Sequence, residues 1–211
     1  PAPENWTTAK HPNEVGSYRR DFVIPETWDG REVFISFDGV DSFFYLWING
    51  QYVGFSKNSR NPARFNITKY LQKGNNVIAA EVYRNSDASF LEAQDMYRLP
   101  GIFRTVAVYS TPKVQIRDLK VIPDLDETYT NGTLTIQADV KNFNKKAAKG
   151  YKIVYSLYAN KLYSDDNTLV AGTEASATVD AVGADATTAA QTAVFQMKSP
   201  QKWSAEEPYR Y

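Results

Sequence analysis

Asn49-Gly50 sits between two apolar runs, residues 42–48 (SFFYLWI) and 51–55 (QYVGF). Few dipeptides constrain a chain more. A two-residue hairpin turn whose twist matches that of its strands needs positive φ at both central positions, and Asn-Gly supplies this at least cost. The pair therefore commits its flanks to an antiparallel hairpin. The surrounding sequence extends the same logic. Residues 18–23, 76–84 and 105–110 alternate apolar and polar, as half-buried strands do. Residues 31–38 put Val33, Ile35 and Phe37 on one face, and Gly39 closes that segment. The continuous run 42–48 is expected to be a strand buried on both sides. Residues 65–71 fit either one helical turn or an edge strand. No stretch shows a convincing amphipathic helical period, so the expectation is an all-β sandwich.

Thr111-Pro112 has the character of a linker. Beyond it, residues 114–123, 133–141, 152–159 and 193–198 read as strands at fairly regular spacing, the pattern of a seven-strand immunoglobulin-like sandwich. The cysteine pair of antibody domains is absent, and the assignment rests on spacing. Residues 171–191, rich in Ala, Thr and Gly, are expected to form a strand followed by a mobile loop. Residues 203–211 begin a new apolar alternation and then stop, which suggests a piece of a longer chain. The expected domains are 1–111 and 112–211.

Composition removes several function classes. Lys plus Arg and Asp plus Glu each number 24, so no net field draws nucleic acid or an anionic membrane. No apolar run approaches the roughly 18 residues needed to span a bilayer. With 0 cysteines there is no thiolate chemistry or disulfide framework, and the compartment stays open. The single His11 stands in a polar N-terminal segment without a Gly-x-Ser-x-Gly element, which excludes a histidine-based triad or metal site. No glycine-rich phosphate loop follows a strand. Aromatic residues make up 14% of the chain, which suits sandwich cores first and sugar platforms second.

Alternation breaks at residues 85–104, NSDASFLEAQDMYRLPGIFR. A long irregular segment carrying large side chains must pack against something, and ordered loops of this length are often functional. Its carboxylates can also serve simply as caps and ion-pair partners. Glycoside hydrolysis needs two carboxylates flanking the scissile bond. Asp38, Asp41, Asp87, Glu92 and Asp95 are candidates, but a complete catalytic pair within this chain is not expected.

One set of motifs carries a resemblance. Asp38-Gly39-Val40-Asp41-Ser42-Phe43-Phe44, Trp47-Ile48-Asn49-Gly50, Gly54-Phe55-Ser56, Ser59-Arg60 and Phe65-Asn66-Ile67 occur in order. Ser86-Asp87, Ser89-Phe90-Leu91-Glu92, Gln94-Asp95-Met96 and Gly101-Ile102-Phe103-Arg104 follow, and Trp203-Ser204-Ala205-Glu206-Glu207-Pro208 closes the series. This resembles the N-terminal part of family 2 glycoside hydrolases, in particular the large bacterial β-galactosidases. The resemblance is specific over the first domain and rests mainly on the closing motif over the second.

It implies a jelly-roll, galactose-binding-domain-like sandwich, then an immunoglobulin-like sandwich, then a (β/α)₈ barrel with both catalytic glutamates outside this chain. The parent is implied to hydrolyse terminal β-galactosides with retention, and this stretch to contain no catalytic residue. Two positions are implied to touch the galactoside substrate: Asp41, at the end of the family's Asp-Gly-Val-Asn loop, and Asp95, in Gln-Asp-Met. Asp95 is also implied to lie beside a sodium ion once the barrel is present. Sodium and magnesium are implied for the intact enzyme and no cofactor for this stretch. Position 41 departs from the family's usual Asn, and an ionised Asp only accepts hydrogen bonds. Other family members cleave β-glucuronides or β-mannosides, and the Gln-Asp-Met and Gly-Ile-Phe-Arg matches favour galactosidase. Two other readings stay open, a free-standing carbohydrate-binding module and an adhesion or scaffold protein built of sandwiches. Self-association through an uncovered edge of the second domain is also expected.

Overall fold

The computed structural model describes residues 13–92, 94–95, 97–163, 165, 167–188 and 191–211, except the side chains of Phe90 and Lys161. His11 and Met96 lie outside the described residues. The chain divides into two compact units, Pro1–Pro112 and Lys113–Tyr211. Among the described residues there is no α-helix, only strands and short 3₁₀ turns.

The first unit contains β1 (Val15–Val23), β2 (Glu32–Phe37), β3 (Val40–Asp41), β4 (Phe43–Ile48), β5 (Gln51–Ser56), β6 (Ala63–Asn66), β7 (Asn75–Tyr83), β8 (Gly101–Ile102) and β9 (Val106–Thr111). One sheet runs β1-β7-β4-β5 and the other β6-β2-β9, while β3 and β8 pair separately. All of these pairings are antiparallel. The core lies where Val33, Ile35 and Phe37 of β2 join Phe44, Leu46 and Ile48 of β4, with Ile67 and Val82. This is the jelly-roll-type sandwich expected from the sequence.

The hairpin forms as expected: Asn49 and Gly50 take φ of 52° and 76°, and Ile48 pairs with Gln51. Asn49 does more than turn the chain. Its Nδ2 donates to Tyr70 O (2.9 Å) and Asn76 Oδ1 (2.8 Å), and its Oδ1 accepts the Val77 N–H (2.8 Å). Residues 65–71 supply both alternatives, the end of edge strand β6 and then a 3₁₀ turn at Thr68–Tyr70.

The run 42–48 is not buried on both sides. Phe44, Leu46 and Ile48 are fully buried, but Phe43, Tyr45 and Trp47 are half-buried on the opposite face. There they join Tyr52, Phe55 and Tyr83 in a cluster with ring centroids 4.6–6.4 Å apart. Rings covering one another's edges can occupy a solvent-facing sheet without an opposing layer.

The second unit contains β10 (Val114–Leu125), β11 (Gly132–Asn142), β12 (Tyr151–Lys161), β13 (Asn167–Val179), β14 (Gln191–Met197) and β15 (Tyr209–Arg210). Two antiparallel sheets, β10-β11-β14 and β13-β12-β15, make the immunoglobulin-like sandwich. Its core includes Leu134, Ala138, Val140, Ile153, Tyr155, Leu157 and Phe195. The buried Tyr155 hydroxyl donates to Gln191 O (2.9 Å), so the ring is placed without an unpaired group. Strand β13 begins before residue 171. Among the described residues after it, Val182 is buried and bridges Ala148 while Thr187 bridges Lys141, so these two positions are paired where a loop without partners was expected. The Asn142 amide, also buried, donates to the carbonyls of Lys146, Val182 and Gly183.

Candidate functional site

The site is built from the place where β2 ends. Ser36 Oγ donates to Asp38 Oδ1 (2.8 Å), and the Asp38 N–H donates to Thr105 O (3.0 Å). The chain then enters β3, where Val40 pairs with Ile102 and Asp41 with Gly101 of β8. The end of the 85–104 segment is thereby stapled to residues 38–41. Gly39 leaves room at this crossing: a Cβ there would lie 2.7 Å from Phe103 Cζ and 2.9 Å from Arg104 Cδ, and those side chains would have to shift.

The start of the segment is fixed as well. The Asn13 side chain bonds the backbone of Asn85 in both directions, at 2.8 and 2.9 Å. A 3₁₀ turn at Asp87–Phe90 follows, with the Ser86 N–H donating to Ser89 Oγ (2.9 Å). Asp87 pairs with Lys57 at 2.8 Å. That hydrogen bond, with the Ala88 N–H, holds the Asp87 carboxyl below its ordinary value.

Between these ends the turn at Ser59-Arg60 gathers the loops. Ser59 is buried, and its Oγ donates to Glu92 Oε2 at 2.5 Å while its N–H reaches Oε1 at 3.4 Å. The Arg60 guanidinium lies 3.6 Å from Asp41 Oδ2 and 4.9 Å from the Phe103 ring centroid. Arg104 stacks on the same ring at 5.2 Å and donates to Arg60 O (2.9 Å) and Asp38 O (3.4 Å). Asp41 is only 5% exposed. Burial pushes its carboxyl above the ordinary value, Arg60 and Arg98 pull it back, and Glu92 adds to the rise.

The five candidate carboxylates thus separate. Asp41 and Glu92 meet at the Ser59-Arg60 turn, Asp38 caps the strand end and Asp87 is an ion-pair partner. Asp95 lies exposed on a bend, and among the described residues no hydrogen bond or ion pair joins it to Asp41. No group of three or more His, Asp or Glu side chains able to hold a metal comes together among the described residues. Asp95 supplies a single carboxylate, and hard cations take more oxygen ligands than one carboxylate offers, so a sodium beside it needs ligands from elsewhere. The role of Ser59-Arg60 was not legible as chemistry. The only signal was that this dipeptide stands between the two loop motifs in the series that carries the resemblance.

A cavity of about 1270 Å³ opens in the second unit, lined in part by Val121, Tyr129, Leu134, Tyr158, Trp203 and Tyr211. It contains none of the loop carboxylates. Arg210 of β15 and the adjoining Tyr211 are among its lining residues.

Fold and site define a pair of β-sandwich domains, the first carrying a polar rim built from loops at the end of its sheets. The model of "Glycosyl hydrolases family 2, sugar binding domain" matches residues 1–112, and that of "Glycosyl hydrolases family 2" matches residues 114–211. The chain belongs to glycosyl hydrolase family 2. It is 44% identical over 94% of its length to a β-galactosidase of Priestia megaterium, and 38% identical over 100% to one of Yersinia pestis. It spans 18% and 20% of the length of those two relatives. Among solved structures, a Bacteroides uniformis β-glucuronidase superposes on 97% of this chain and 24% of its own, with a TM-score of 0.80 at 21% identity, a likeness of fold.

Proposed function

We propose that this chain is the N-terminal portion of a longer β-galactosidase, in which Asp41 and Asp95 form part of the rim of the galactosyl site and the catalytic carboxylates lie on a barrel outside these residues. The observation that carries this reading is the 44% identity to a β-galactosidase along 94% of the chain, paired with only 18% coverage of that relative. The geometry supports it. Asp41, in β3, pairs with the end of the loop segment and lies beside Arg60, of the Ser59-Arg60 turn that also holds Glu92.

On this reading the isolated chain turns over no β-galactoside. Its affinity for galactose is also poor, since each rim hydrogen bond contributes about 0.5–1.5 kcal/mol against an association cost of at least about 4 kcal/mol. In the longer enzyme, Asp95→Ala lowers kcat/KM at least tenfold, because a charged hydrogen bond in a closed site is worth about 1.5–3 kcal/mol. The test is hydrolysis of a chromogenic β-galactoside, with a β-glucuronide as comparator, by this chain, the longer polypeptide and the variant. Turnover by the 211-residue chain that is abolished by Asp95→Ala would overturn the reading.

A further inference from the structure

We propose that the Ser59-Arg60 turn is the positioning unit of the sugar rim: Arg60 acts through Asp41, and Ser59 acts on the Asp95 loop through Glu92. This rests on the reading of Asp41 and Asp95 as sugar contacts and names the residues that set them.

Arg60 is itself held in place. Its guanidinium lies against the Phe103 ring, whose other guanidinium neighbour is Arg104, and Arg104 in turn binds the Arg60 carbonyl. Arg104 also reaches Asp38 O, so one side chain fixes both the segment that precedes Asp41 and the residue that pairs with it. A buried carboxylate without a cation nearby is costly and turns to its neutral form, which changes it from an acceptor to a donor. At 3.6 Å Arg60 supports the ionised form of Asp41 without closing a tight hydrogen bond.

Ser59 works on the second loop. Both its hydroxyl and its N–H address the Glu92 carboxylate. Glu92 is three residues before Asp95, and three residues of chain span at most about 10 Å, so fixing residue 92 limits where residue 95 can go. Neither Ser59 nor Arg60 has to touch sugar to do this.

A merely structural staple would change stability and leave substrate affinity and its pH dependence alone. In the longer enzyme, Arg60→Met is expected to raise KM about tenfold with kcat within about twofold. It also moves the acid limb of kcat/KM to higher pH, because Asp41 keeps Arg98 and Glu92 as charged neighbours but loses Arg60. In an Asp41→Asn background the same substitution is expected to change KM less than about twofold, since residues acting as one unit are not additive. Arg60→Lys restores the acid limb in part. Ser59→Ala raises KM, and that rise vanishes in an Asp95→Ala background.

The 211-residue chain supplies an arm independent of activity. Carboxyl ¹³C NMR should show Asp41 titrating at higher pH in Arg60→Met than in the parent. If that shift appears but the longer enzyme cleaves no β-galactoside, the functional reading fails while the coupling of Arg60 to Asp41 stands. An unshifted Asp41 titration, or an equal KM effect of Arg60→Met with and without Asp41, overturns the inference.

Discussion

Phe44 and Trp47 stand on opposite faces of β4, and truncating each tests the placement of the first core. Phe44 is 1% exposed, with the Phe37 ring centroid at 4.7 Å and that of Phe65 at 6.0 Å. Phe44→Ala leaves a cavity that surrounding strands cannot fill, for a cost of about 3–5 kcal/mol. Trp47 is half-buried in the outer ring cluster, where water replaces whatever is removed. Half of the burial of a large side chain is about 0.8–1.5 kcal/mol. Two ring contacts at about 0.5 kcal/mol each bring the total for Trp47→Ala to about 2 kcal/mol. In urea, with m near ~2 kcal/mol/M, the midpoint falls by about 1.5–2.5 M for Phe44→Ala and by about 1 M for Trp47→Ala. The assay is a urea titration read by circular dichroism, with amide exchange of β2 and β4 assigning the transition to the first unit. If Trp47→Ala costs as much as Phe44→Ala, the outer cluster carries core load and the face assignment is wrong.

Two further outcomes follow for the second unit. Asp126 is held at about 2, down from 3.8, first by the Thr130 N–H and the Thr128 hydroxyl and then by Asn131. A depressed carboxyl lends stability above pH 3.8 that is lost as pH falls toward about 2, so Asp126→Asn should flatten acid unfolding of this unit in that window. Strand β12 pairs with β15 only at Asn160 and Lys161, and among the described residues no other strand meets that edge. Concentration-dependent self-association is expected in sedimentation and should weaken in Val154→Lys, which puts a charge on β12 where Val154 is 65% exposed. A monomer at millimolar concentration would count against it.

What was legible in the sequence depended on the range of the physics involved. The Asn49-Gly50 turn was legible because its φ requirement is local, and both residues adopt it. The alternation of residues 31–38 was legible because it reports one strand facing one core. The run 42–48 misled for a definite reason. Hydrophobicity counts Phe43, Tyr45 and Trp47 as core, but an aromatic residue can lie against other aromatics on an outer face, and periodicity cannot tell the two apart. The site was harder. The resemblance singled out Asp41, but its burial and its pairing with Arg60 depend on β3–β8 pairing and on Arg104, which are distant in sequence. The loop expected after the strand in residues 171–191 looked mobile because Ala, Thr and Gly carry little local signal, yet Val182 is placed by a bridge to Ala148.

Position 41 shows what a buried acid costs the fold. A residue selected only for packing at a buried, β-paired position would be neutral. Asp41 is instead an acid whose carboxyl burial raises above 3.8, with Arg60 offsetting only part of that rise. The sign of the linkage follows. Below pH 3.8 the carboxyl is protonated in both folded and unfolded chains and costs nothing. As pH rises through the folded value, the unfolded chain releases its proton more readily, and stability falls to a lower plateau. Asp41→Asn removes the titration while keeping the shape. It is therefore expected to gain more stability, relative to the parent, at pH 7 than at pH 3. Arg60 retains its stack on Phe103 and its access to water when the partner charge is gone. Urea unfolding of both proteins at the two pH values decides the matter. A variant whose stability relative to the parent is no better at pH 7 than at pH 3 would mean that Arg60 fully compensates the buried charge. Position 41 would then carry no stability cost for its charge.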